Sequence, residues 1–173
     1  AVTYDGRIRN GKVGNYTNGK IKMFRCQKCR TIWHDSMDRD YKEYYQSEEY
    51  RKELEGTSDV DEFYRMHDGE SLEKFRYTGT EIFRDKVVAE VGCGAGGFLD
   101  YIQTVAKTII AIEPSKRYRD AMKKKGYAVF GYAEEALKEY RNKVDVIVSF
   151  DVIEHVEEPQ SFLEELYALL SDG

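Results

Sequence analysis

Cysteine and proline are scarce, with three cysteines (Cys26, Cys29, Cys93) and two prolines in 173 residues. Three unevenly spaced thiols cannot build a disulfide framework, so the expectation is a reduced, cytoplasmic protein. No apolar run approaches the roughly 20 residues needed to cross a bilayer. The opening Ala-Val-Thr-Tyr-Asp also lacks the basic-then-apolar layout of a signal peptide, so no membrane partner is expected. Basic excess is missing as well: 27 Lys and Arg stand against 32 Asp and Glu, for a net charge of -5 and a pI of 5.4. That balance disfavours a nucleic-acid partner held by phosphate neutralisation. What is present is 41% hydrophobic and 13% aromatic residues, 14 of them Tyr, which suffices for a core. The length suits about one domain.

Charge and composition both change at Lys86. Residues 1–86 carry 17 basic and 17 acidic groups, whereas residues 87–173 carry 10 and 15 and hold the whole net charge. The first stretch, Asp5 to Lys22, is rich in Gly and Asn (Gly6, Gly11, Gly14, Gly19; Asn10, Asn15, Asn18) and reads as turns and short hairpins. Asp38 to Leu54 reads as a helix, with Tyr41, Tyr44, Tyr45 and Glu48 on one face and Gly56 as its stop. Ser58-x-x-Asp61 resembles a capping box, and Phe63, Met66 and Phe75 predict a further helix interrupted at Gly69. The expected division is a ribbon-like segment 1–37, a helical lid or linker 38–86, and a cofactor-binding domain 87–173.

Beyond Lys86, short β-branched runs alternate with helical patterns. Runs are expected at Val87–Val91, Thr108–Ile112, Tyr127–Phe130 and Val144–Phe150, and helices at Gly97–Val105, Ser115–Lys125, Ala133–Tyr140 and Pro159–Leu170. This order predicts an α/β fold: a Rossmann-like parallel sheet with helices on both faces, binding ligands at the carboxyl ends of its strands.

The sharpest motif is Glu90-Val91-Gly92-Cys93-Gly94-Ala95-Gly96-Gly97, which leaves the first strand and opens a helix. Glycines there permit a tight turn and a close approach of ligand to backbone. By itself the loop fits two patterns. Gly92, Gly94 and Gly97 satisfy the dinucleotide fingerprint GxGxxG, and Glu90 with Gly92, Gly94 and Gly96 satisfies E/D-x-G-x-G-x-G. Glu113 ends the second strand 21 residues after Gly92, where a carboxylate can accept both hydroxyls of a ribose, and Pro114 stops the strand. A solvated strand end is the plainer alternative. Ala133 and Glu134 follow the third strand, within reach of an adenine edge.

The stretch Asp145 to Pro159, which contains Ser149-Phe150-Asp151 and Glu154-His155-Val156, separates the two patterns. With it the chain, over about residues 77–173, resembles the class I S-adenosylmethionine-dependent methyltransferases of the small-molecule branch. The resemblance implies methyl transfer to a small-molecule acceptor with S-adenosylmethionine as cofactor. It implies that Glu90, Gly92, Gly94 and Gly96 cradle the methionine part and that Glu113 holds the ribose. Pro114, Ala133 and Glu134 would lie about the adenosine, and Ser149 and Phe150 beside the methionine and sulfonium. An aromatic ring face suits a sulfonium cation. His155 is the candidate base, since an imidazole titrating near neutrality can take the proton of an acceptor hydroxyl or amine. Its plainer role is to order the loop by hydrogen bonding, and Glu154 reads as structural. Tyr77 could reach the cofactor carboxylate, and Lys123–Lys125 reads as a solvated helix end.

Arg25-Cys26-Gln27-Lys28-Cys29-Arg30 has the form of one zinc knuckle, and a structural zinc needs four ligands. His34 is the nearest further donor, so the candidate metal set is Cys26, Cys29 and His34. The region resembles methyltransferases with an amino-terminal zinc ribbon, several acting on nucleotide-linked sugars, in which a Y-x-x-Y-Y segment follows; here Tyr41–Tyr45 matches it. The alternative is a degenerate ribbon held by the packing of Phe24, Ile32 and Trp33. Family members have seven strands against four here, so the cofactor half reads as an incomplete domain, whose open edge would pair with another chain or a second copy, a homo-oligomer. Two other functions remain open on the residues: a NAD-dependent oxidoreductase, and a non-catalytic ribbon-like interaction module.

Overall fold

The computed structural model describes residues 1–9, 16–35, 41–47, 52, 56 and 59–172. A small antiparallel sheet comes first, with β1 (Val2–Gly6), β2 (Ile21–Arg25) and β3 (Ile32–His34) in the order β1-β2-β3. An Arg9–Tyr16 bridge extends the first hairpin, in keeping with the Gly/Asn-rich turn reading; Asn10, Gly11, Gly14 and Asn15 lie outside the described residues. Of the helix expected over Asp38–Leu54, α1 covers Tyr41–Gln46 and Lys52 is helical; Glu48 and the Tyr41 side chain lie outside the description.

The next helix, α2 (Val60–Thr78), corrects two expectations. It runs through Gly69 without a break, because a lone glycine weakens a helix but leaves its hydrogen-bond ladder intact. Its N-cap is Asp59, whose carboxylate accepts from the Asp61 and Glu62 amides, in place of a box built on Ser58, a residue outside the description. Gly79, at φ 71, ends the helix.

A 3₁₀ turn at Glu81–Phe83 leads into the alternating region: β4 (Val87–Val91), α3 (Gly97–Ile102), β5 (Thr108–Ile112), α4 (Lys116–Lys124), β6 (Ala128–Phe130), α5 (Ala133–Tyr140), β7 (Val146–Ser149) and α6 (Pro159–Leu169). The four strands are parallel in the order β6-β5-β4-β7. The first two strands have the expected bounds. The fourth is shorter than Val144–Phe150, because Val144 bridges Leu170 instead of joining the ladder, and α3 ends at Ile102, before a turn over residues 103–105.

Successive strand residues point to opposite faces. Val88, Ile109 and Ala111 pack with Phe83, Phe98, Leu99, Ile102 and Met122 on one side. Ala89, Val91, Ile110 and Ile112 pack with Ala136, Leu166 and Leu169 on the other. Both faces are thus covered, α3 and α4 lying on one and α5 and α6 on the other, as a parallel sheet requires. The chain steps outward from β4 to β5 and β6, then returns to place β7 against the other side of β4. The order reverses between β4 and β7, and it is at the carboxyl ends of strands flanking such a reversal that sheets of this kind bind ligands.

Candidate functional site

The glycine loop leaves β4 at that reversal. Gly92, Gly94 and Gly96 have φ of 76°, 54° and 85°, a region that glycine enters without the steric cost borne by other residues. The loop is also covered. Val152 presses on Gly92, and a Cβ on Gly94 would lie 2.6 Å from Cζ of Phe63. Asp151 at φ 55 turns the chain back after β7, which brings Val152 onto the loop.

Two carboxyls lie beneath it. Glu113 is 5% exposed; its Oε2 accepts from the Gly94 amide at 2.9 Å and its Oε1 from the Ser115 amide at 2.8 Å. One carboxylate therefore ties the loop to the start of α4. Arg119 reinforces this corner by donating to the carbonyls of Glu113 and Pro114. Glu90 is 4% exposed, and its Oε2 is a buried oxygen without a hydrogen-bond partner. Burial pushes its carboxyl up to about 8; Lys74 pulls it down, and Glu113 and Asp100 push it further up. At neutral pH Glu90 is mainly a neutral acid able to donate a proton.

On the β7 side, Ser149 Oγ donates to the Val91 carbonyl at 3.3 Å and joins the ends of the two central strands. Phe150 packs edge-on to Phe98 at 5.2 Å between ring centroids, and the Lys74 ammonium lies 5.1 Å from its ring. Lys74 also pairs with Glu70 at 2.6 Å and Asp151 at 3.5 Å. On the far side Ala133 is buried at the start of α5, while Glu134 is exposed and pairs with Lys42 of α1 at 3.1 Å. His155 is exposed on a 3₁₀ turn (Ile153–His155), with the Tyr45 ring of α1 6.3 Å away. The fold thus brings Glu90, Gly92, Gly94, Gly96, Glu113, Ser149 and Phe150 to one end of the sheet, with Ala133, Glu134 and His155 on its rim.

The remaining candidates separate from this group. Tyr77 is 91% exposed near the end of α2. Cys26, Cys29 and His34 do not converge. Cys26 and Cys29 sit in the turn between β2 and β3, whereas the register opposes His34 to Met23, about 10 Å along the ladder from Cys26 at roughly 3.3 Å per residue. The His34 Nδ1 instead meets the Asp35 carbonyl at 2.6 Å. Among the described residues no group of three or more His, Cys, Asp and Glu is placed to hold a metal ion. The knuckle nonetheless has chemical character, since the Thr31 hydroxyl and amide and the Cys26 thiol pull the Cys29 thiol down to about 7. Sequence reasoning missed Lys74, Val152 and the position of Phe63, because no local pattern marks residues that reach the loop from other elements.

A family model described as a methyltransferase domain matches residues 61–173. The chain belongs to the methyltransferase domain family. The match takes in most of α2 as well as the whole parallel sheet. Among solved structures, a SAM-dependent methyltransferase of Thermotoga maritima is 26% identical, with a TM-score of 0.50, over 66% of this chain and 54% of its own. The magnesium protoporphyrin IX methyltransferase of Synechocystis, solved with bound SAM, is 17% identical with a TM-score of 0.52, over 78% of this chain and 74% of its own, a likeness of fold. The chain thus spans about half the length of the Thermotoga methyltransferase. No curated protein matches it.

Proposed function

We propose that this chain is the cofactor-binding part of an S-adenosylmethionine-dependent methyltransferase acting on a small-molecule acceptor. The observation that carries the reading is a contact at the reversal of strand order: the loop after β4 and the carboxylate ending β5 meet directly, through Gly94 and Glu113. The residues fit such a ligand. Three positive-φ glycines bare the backbone, and the buried, unpartnered Glu90 oxygen gives a polar ligand group a partner in a covered site. The Thermotoga relative, 26% identical, is itself described as SAM-dependent, and this favours sulfonium over nicotinamide chemistry.

In this reading Glu90, Gly92, Gly94 and Gly96 receive the methionine part, Glu113 accepts the ribose hydroxyls, and Pro114, Ala133 and Glu134 flank the adenine. Ser149 and Phe150 border the sulfonium, with the Phe150 ring face offering attraction to positive charge. When bound, S-adenosylmethionine would supply an electrophilic methyl group. The chain's own part is to hold donor and acceptor in line. His155 Nε2 or Nδ1 takes the acceptor's proton, and Tyr45 borders it from α1. In domain terms, 87–173 is the cofactor domain, 38–86 its lid and linker, and 1–37 a ribbon-like segment. The narrower form of the reading is a sugar-linked acceptor, supported by the likeness of Cys26-x-x-Cys29 and Tyr41–Tyr45 to ribbon-bearing enzymes.

Titration calorimetry with S-adenosylhomocysteine tests the cofactor. Binding in the micromolar range is expected; Glu113→Ala should weaken it by about a hundredfold, the scale of two lost charge-assisted hydrogen bonds, and Gly94→Val should weaken it as well, through a branched side chain at positive φ against Phe63. A folded sample that gives no heat would sink the proposal.

A further inference from the structure

The first half of α2 lies on the very backbone that the cofactor reading needs bare. Phe63, 7% exposed, sets its ring against Gly94 and packs on Tyr118 at 4.9 Å and His67 at 4.4 Å between ring centroids. Beneath it the Glu113 carboxylate is closed off from solvent, both its oxygens engaged by the Gly94 and Ser115 amides. A ribose reaching Glu113 past Gly94 meets this cover first.

The cover packs as a small cluster, Val60, Phe63 and Tyr64 lying on Ala95 and Tyr118, and is fastened at its edges by polar groups that can let go. Asp59 at the N-cap pairs with Arg117 of α4 at 3.2 Å; both side chains are largely exposed, so the pair is weak. Tyr64 donates to the Ala95 carbonyl and accepts from Lys125, and Asp68 accepts from the Tyr101 hydroxyl at 2.8 Å. The second half of α2 is anchored on α3. Ser71 is buried against Gly97, where an added Cβ would come within 2.7 Å of its hydroxyl, and Phe75 stacks on Tyr101 at 5.4 Å. Between the halves sits Gly69. Nothing lies within 4 Å of where its Cβ would be, so no packing calls for a glycine, which weakens the helix at the junction.

We propose that Val60–Asp68 is a self-occluding lid, hinged at Gly69, whose Phe63 fills the approach to Gly94 and Glu113 and must swing out before an adenosyl ligand enters. The mechanics rest on the observed packing alone; the identity of the ligand rests on the function proposed above. A ligand that binds only the open arrangement has its affinity lowered by the fraction of time the lid stands open.

The test has two arms. In the first, Ala95→Cys, made together with Cys93→Ser, places a single thiol under the lid, Ala95 being fully buried, and its labelling by a water-soluble disulfide reagent is read at that peptide by mass spectrometry. Adding Arg117→Gln should speed labelling by about two- to fivefold, the range open to an exposed ion pair, and adding Gly69→Ala should slow it. Unchanged labelling in both overturns the lid, whatever the site binds. In the second arm, affinity for S-adenosylhomocysteine should tighten about tenfold in Phe63→Ala and about two- to fivefold in Arg117→Gln, with faster association in each. Weaker binding by Phe63→Ala would make the ring part of the ligand site and overturn the lid; Phe63→Leu serves if the alanine variant does not fold. If labelling responds while neither the wild-type protein nor Phe63→Ala binds S-adenosylhomocysteine, the lid stands and the cofactor assignment fails.

Discussion

The two sheets of this protein use their side chains in opposite ways. In the parallel sheet, Val88, Ala89, Ile110 and Ala111 are fully buried, because helices cover both faces. In the amino-terminal sheet, Val2, Tyr4, Ile32 and Trp33 are between 43% and 54% exposed, although Phe24 and Trp33 stack at 5.8 Å. The alternative to a zinc site in this sheet is a degenerate ribbon held by the packing of Phe24, Ile32 and Trp33. Only the stacked pair does this, and the hairpin ladders hold the rest. The difference shows where stability resides: removal of apolar area from water acts on the parallel sheet and little on the amino-terminal one.

The largest effect that would break this comparison is on stability. Leu99→Ala, at a fully buried site, should cost about 2–5 kcal/mol in denaturant unfolding, and a cost under about 1 kcal/mol would mean that this core is not close-packed. Next come the thiols. Cys29 is exposed with its thiol pulled down to about 7, mainly by Thr31, whereas burial pushes the Cys93 thiol well up. At pH 7 Cys29 should react with a disulfide reagent at least about a hundredfold faster than Cys93, and comparable rates would deny the contrast in environment.

The third effect is pH-dependent. Glu90 holds its proton more tightly folded, at about 8, than in an ordinary carboxyl, whose value is 4.5. Its stabilising contribution is therefore full below that ordinary value and is lost as pH rises through about 8. Glu90→Gln should gain in melting temperature relative to wild type between pH 6 and pH 9, by several degrees; a gap that stays constant would place Glu90 in a wetter setting. The smallest effect is expected in the amino-terminal sheet, where Trp33→Ala should cost about 1 kcal/mol or less, the scale of one exposed aromatic pair.

Much of the parallel sheet was legible because its signals are local. Val87–Val91 and Thr108–Ile112 stand out as β-branched runs, Gly126 and Pro159 mark helix ends, and the alternation of run and helix specifies parallel pairing. The convergence of Glu90, Glu113, Ser149 and Phe150 followed from the rule that such sheets gather strand ends at the reversal of order. Less was legible where one element answers to another. Gly69 read as a break, yet α2 is continuous because its second half is held by Ser71 and Phe75 against α3. The metal set Cys26, Cys29 and His34 looked compact along the chain, but strand register carries His34 away from the turn.

By itself the order of residues determined the strands, the glycine loop and the acidic residue that closes β5, since each depends on the conformations its own few residues can adopt. The tertiary structure alone decided that Phe63 covers Gly94, that Glu90 is buried with an oxygen unpaired and its proton retained, and that Lys74 faces Phe150. Those outcomes depend on distance through space and on exclusion of water. Both arise only when segments far apart in sequence pack together.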